Sequence, residues 1–255
     1  MLRPVEHVSP EALARGQRHL VQDLAWASLS GSFAGGVILV AFALALGATP
    51  LQIGLLAAIP FITQAAQLPA TLLIERLRQR RKISVLSITA ARLGVLSMAV
   101  LPFLPWQDRR LTALMLLQVV IAGLAAVGGC AVNSWLHQLI PHQQLGSFFP
   151  RRLVAGTALA CLGTLAAGLL VDHEVGGSRL NAYALCFGIA ALTGFVSSWH
   201  LGSAPEPRMH DAGPTGGTVQ RLMEPFRHPN FRRLLVFMAA WIIASNLAAP
   251  FLTVY

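Results

Sequence analysis

The sequence predicts an all-α polytopic membrane protein, and three observations carry that prediction. The first is composition: 55% of the 255 residues are hydrophobic and 11% charged, with a mean hydropathy of +0.62. Soluble chains carry about 25% charged residues, and disordered ones far less apolar material. The second is grouping: uncharged apolar runs recur along the chain, each near the ~20 residues that a helix needs to cross a bilayer. The third is the placement of the 19 Lys and Arg, all but Arg92 of which fall outside those runs or at their edges, most in short clusters. The formal charge of +9 therefore reports orientation in a membrane and not a nucleic-acid partner. Cys130, Cys161 and Cys186 sit singly inside apolar runs, with neither metal-ligand spacing nor a disulfide framework.

Seven runs are expected to span: 24–46, 51–74, 83–104, 111–134, 153–172, 181–202 and 233–255. Spanning β-strands would be shorter and would alternate in polarity. Gly47 and Pro50 mark a tight hairpin between the first two. Residues 1–23 are polar and hold no signal-peptide core; Ser9, Pro10 and Glu11 cap a short helix leading into the first span.

Orientation follows from the basic residues. Arg3, Arg15 and Arg18, then Arg76, Arg78, Arg80, Arg81 and Lys82, then Arg151 and Arg152, then Arg208, Arg221, Arg227, Arg232 and Arg233 all fall on one side. The other side holds Arg109, Arg110 and Arg179. Fifteen against three places the N-terminus in the cytoplasm. The organisation is then a cytoplasmic N-terminal arm (1–23), a six-helix transmembrane bundle (24–202), a cytoplasmic central loop (203–232) rich in Pro and Gly, and a seventh transmembrane helix (233–255). Trp26 and Ser30 of the first span recur at the same offset as Trp241 and Ser245 of the seventh, as a second repeat would show.

These features resemble the N-terminal half of a major facilitator superfamily transporter, in a poorly characterised bacterial branch. The loop from Leu73 to Lys82 is similar to the family's acidic-then-basic loop between spans 2 and 3, with Glu75 and Arg76 in the acidic and basic places and Thr71 and Arg78 where flanking glycines are usual. Leu139-Ile140-Pro141 through Phe148-Phe149-Pro150-Arg151-Arg152 resembles the loop between spans 4 and 5, and the Leu46–Pro60 and Asn246–Phe251 segments look like the same branch. Val119 stands where many proton-coupled members carry a membrane arginine, and Gly156, Gly163 and Gly168 lack the intervening proline of drug antiporters. The resemblance implies a six-helix bundle plus a seventh helix that begins a second bundle, and a secondary transporter of a small solute, with or without a coupling ion. It implies an inner-membrane location and the lipid bilayer as partner. Glu75, Arg76, Arg80 and Arg81 would form a cytoplasmic latch to the second bundle.

Polar groups in a bilayer need partners, so each is a site candidate. Arg92 lies ten residues beyond Lys82, about 15 Å along a helix. It either binds an anion or holds helices together, and the place of span 3 in the resembled fold favours the second. Gln64, Gln67 and Thr71 share one face of span 2, lining a cavity or bonding between helices. Ser28, Gly31, Ser32 and Gly35 give span 1 a small face suited to close packing, with the two serines also cavity candidates. Gln118 and Asn246 gain a cavity role by position in the resembled fold. His137, His142, His173 and His200 are expected at span ends and in loops, solvated.

Glu75, Asp108, Asp172, Glu174, Glu206, Asp211 and Glu224 fall at interfaces or in loops, and no catalytic motif is present. Neither an enzyme nor a cofactor is expected. The chain reads as lacking the C-terminal half, because it ends at Pro250–Tyr255 inside an apolar run, and as unable to transport alone. A non-transporting membrane scaffold or decayed half-transporter is the other reading.

Overall fold

The computed structural model describes residues 5, 8–105, 107–209 and 226–252, with only the backbone for 107, 108, 243 and 245–252. It divides into two units, 1–209 and 210–255. The first holds helices α1 (Pro10–Ala34), α2 (Gly36–Ala45), α3 (Pro50–Thr63), α4 (Gln67–Leu77), α5 (Arg80–Val100), α6 (Gln107–Leu139), α7 (His142–Asp172) and α8 (Arg179–Ser203). The second holds α9 (Pro229–Leu252). Among the described residues the only β-type pairing is an isolated bridge between Val5 and Pro207.

Six segments of the first unit are long and apolar enough to cross a membrane: Pro10–Ala45, Pro50–Leu77, Arg80–Phe103, Arg109–Leu139, His142–Asp172 and Arg179–Ser203. The chain is thus an all-helical membrane protein. Ser9 caps α1 as expected, its hydroxyl accepting from Ala12 N at 3.2 Å. The short leading helix is not separate, however, and runs unbroken from Pro10 into the first span.

The first two spans are each broken, for different reasons. Among the described residues Gly31 and Gly35 do not make the helix contact their spacing suggested: no atom outside their own helix stands within 4 Å of where a Gly31 Cβ would lie. The pair marks the end of α1, where Gly35 N donates to Gly31 O at 2.8 Å and Gly36 takes φ +51°, a left-handed conformation that favours glycine. In the second span Pro60 lies inside α3, and a 3₁₀ turn, Gln64–Ala66, separates α3 from α4. Proline removes a backbone donor and crowds the preceding turn; Thr63 Oγ1 donates to Ile59 O at 2.9 Å beside this break.

The main packing pairs are the first span with the fifth and sixth, the third with the fourth and sixth, and the second with the fourth. The sixth is the most buried and the second the least. Between apolar helices in lipid, association rests on close packing and polar contacts. Both occur where α1 crosses α7: a Cβ on Gly156 would fall 2.9 Å from Ser28 Oγ, and one on Gly163 would collide with Ser32 Oγ. Seven residues apart, these glycines lie on one face of α7. Toward one end the core gathers around Phe42, whose ring stands 5.1 Å from Phe187 and 5.4 Å from Tyr183. A second core holds Leu20, Trp135, Leu136, Phe148 and Leu201.

The described residues after α8, 204–209, form no helix and are held beneath this second core; α9 begins at Pro229. Trp135 Nε1 donates to Pro205 O at 2.9 Å, and Pro205 fills the space that a side chain at Gly16 would need. Glu206, only 1% exposed, accepts from Arg80 N at 2.7 Å and lies 3.6 Å from Arg80 Nε. Val5 N donates to Glu206 O and Arg208 N to Val5 O, which ties the start of the chain to the same segment.

Candidate functional site

A series of polar groups runs inside the first unit along one face of α1. His19, Asp23 and Ser30 follow at one and then two helical turns, so all three point the same way. His19 Nδ1 lies 3.0 Å from His200 Nδ1 of α8. One turn on, Asp23 Oδ2 lies 3.3 Å from Arg152 Nη2 of α7, while its Oδ1 accepts from Ser197 Oγ of α8 at 2.8 Å. Arg152 Nε also donates to Leu20 O at 3.1 Å. About 10 Å deeper, by the rise of a helix, Ser30 Oγ donates to Ala190 O at 2.6 Å and accepts from Arg92 Nη1 at 3.2 Å.

Asp23 is the residue that sequence reasoning passed over. It stands at the boundary drawn between polar arm and first span, and counting from Leu24 onward hides it. The available signal was that His19, Asp23 and Ser30 repeat at helical spacing across that boundary. His200 likewise corrects an expectation: it is 8% exposed and packed between His19 and Trp199, not solvated.

Arg92 joins α5 to α1 and α8. Its aliphatic stem lies against Gly194, where an added Cβ would collide with Cδ and fall 2.7 Å from Nε. Its guanidinium interacts electrostatically with Asp23, and its Nε has no hydrogen-bond partner among the described residues. The series therefore carries two arginines and one carboxylate, shared among four helices.

The other candidates are scattered. Ser28 and Ser32 lie at the α1–α7 crossing against Gly156 and Gly163. Gln118 is half-buried and lines a groove of about 650 Å³ beside the break in the first span, with Gly35, Gly36, Leu56 and Pro60. Gln64 and Gln67 bond to each other across the 3₁₀ turn, Gln67 Nε2 donating to Gln64 Oε1, and neither lines that groove. Asn246 falls on α9, and its side chain lies outside the described residues. Of the expected latch, Glu75 and Arg76 are exposed, but Arg80 is buried against Glu206 and donates to Ser134 O and Pro207 O at 3.2 and 3.0 Å. Arg81 donates to Gly202 O. Arg78 closes α4 at φ +51°, the glycine-favouring conformation.

A fixed buried charge pair and a neighbouring guanidinium can hold helices in one register or take part in a charge exchange when the helices move. Among the described residues no group of three or more His, Cys, Asp or Glu is placed to hold a metal ion. Comparison with family models, curated proteins and solved structures gives no match.

Proposed function

We propose that the chain forms the first bundle, and the helix that starts the second, of a secondary transporter of the major facilitator type, with its basic end in the cytoplasm of a bacterial inner membrane. The observation that carries this reading is a symmetry in the packing. Exchanging the first span with the fourth, the second with the fifth and the third with the sixth turns four of the five main packing pairs into one another and the third–sixth pair into itself. Halves of such transporters are built from inverted three-helix repeats, which demand that relation. The kinked first span and the groove holding Gln118 add a face on which a solute could bind, and rocking against a second bundle would expose it to either side.

The decisive experiment is a solute-exchange screen in inverted vesicles from cells expressing the full reading frame that contains this chain, against a vector control. Saturable, frame-dependent flux of one solute class supports the reading. Its absence across solute classes, with the protein inserted at normal levels, removes it. One observation favours a non-transporting scaffold instead: Arg80 and Arg81 are bound within their own unit, which leaves Glu75 and Arg76 as the latch.

A further inference from the structure

Arg151 and Arg152 are consecutive on α7 and point apart. Arg152 turns inward to Asp23, whereas Arg151 is exposed beside a pocket of about 530 Å³ between α1 and α7. Arg18 of α1 lines the same pocket, over an apolar surface that includes Phe148. Among the described residues no acidic side chain lines it, and neither Arg18 nor Arg151 has an ion-pair partner. The amides are arranged to suit an anion as well. Gln17 Nε2 donates to Gln144 Oε1 at 2.6 Å, which ties the two helices together and leaves the Gln144 amide protons free to donate.

We propose that this pocket is a phosphate-binding site, in which Arg18 and Arg151 clamp a phosphate group and Gln144 donates to it. Two unpaired guanidinium groups make a strong field for an oxyanion, and the planar fork of each matches phosphate oxygens in pairs. The phosphate can belong to a soluble ion or to a lipid headgroup. Below Arg151, Val154, Ala158, Leu162 and Leu165 continue at helical spacing as an exposed apolar stripe, along which an acyl chain can lie. Basic pockets at the cytoplasmic ends of spanning helices are where anionic headgroups bind. The proposal is independent of transport.

The test uses the 255-residue chain in dodecyl maltoside micelles, whose headgroups carry no phosphate, with thermal unfolding as readout at constant ionic strength. One arm titrates inorganic phosphate against chloride; the other titrates phosphatidylglycerol into the micelles. Arg18→Gln and Arg151→Gln, both at exposed positions, are compared with wild type and with Arg179→Gln, which removes an exposed arginine elsewhere. We expect a saturable rise in unfolding temperature that weakens about tenfold in apparent affinity in each pocket variant, a loss of one charge-assisted contact, and is unchanged in Arg179→Gln. A response to phosphate alone assigns a soluble ligand, and a response to phosphatidylglycerol assigns a lipid. No response in either arm, or a response kept by both pocket variants, overturns the proposal. Phosphate also stabilises proteins by exclusion from their surfaces, and a rise equal in all four proteins counts against the site.

Discussion

Asp23 of the first span and Arg152 of the fifth face one another at 3.3 Å, and Ser197 of the sixth occupies the carboxylate's second oxygen at 2.8 Å. Both charged side chains are largely buried, 7% and 12% exposed. Three spans that are distant in sequence are thus held at one point, close to the level where the apolar runs of the first and fifth begin and that of the sixth ends.

Breaking that pair from one side should be costly, because it leaves the other charge buried and alone. Asp23→Ala is expected to destabilise the protein by about 3–5 kcal/mol. Replacing both partners, as Asp23→Ala with Arg152→Leu, should restore a large part of the loss. The measurement is a double-mutant cycle on thermal stability in detergent; additive effects would show that the two side chains do not depend on each other.

The contact between Arg92 and Gly194 gives a second cycle. Gly194→Ala pushes a methyl group into the arginine stem, and overpacking of this kind costs about 1–3 kcal/mol. In an Arg92→Ala background the same substitution should cost less, because of the three nearest atoms only Ser30 Oγ, 3.0 Å from the added Cβ, still stands close. An equal loss in both backgrounds would mean that the arginine lies elsewhere. By itself Arg92→Leu removes the bond to Ser30, worth about 0.6 kcal/mol on average between helices in lipid. A large effect on solute affinity with little loss of stability would instead assign Arg92 to ligand binding.

Glu206 fixes the segment that follows α8. Glu206→Ala should release it, seen as faster hydrogen exchange at the amides of Val5 and Arg208, which now form the two bonds of the bridge. Exchange at Trp199 and Leu201, inside α8, should change little. Unaltered protection at Val5 and Arg208 would show that the Arg80–Glu206 pair is not what holds the segment.

The glycines of the first span should separate by role. Gly36→Ala forces an alanine into φ +51° and is expected to cost about 1–2 kcal/mol. Gly31→Ala meets nothing within 4 Å and should stabilise by about 0.5–1 kcal/mol, as alanine does for glycine inside a helix. Thermal stability of the two variants decides it. The reverse ranking would restore the close-packing reading of Gly31 and Gly35.

The sequence by itself determined the class of protein and the number of apolar spans in the first unit. Those depend on composition and on run length, which a bilayer reads one residue at a time: twenty uncharged apolar residues are enough to specify a spanning helix. The Ser9 cap is equally local, because it follows from the chemistry of one residue and its neighbours within a turn. What only the tertiary structure decided is which polar groups meet. Arg80, Arg81 and Arg152 read identically to the exposed Arg151 as members of basic clusters, yet the first three reach carbonyls or carboxylates as much as 132 residues away. Asp23, Ser197 and Arg152 have no common spacing, and Gly194 fits the stem of Arg92 only because α5 and α8 cross there. Such pairings are set by the rotation of each helix about its axis, a quantity fixed by the sum of all its contacts and by no single motif.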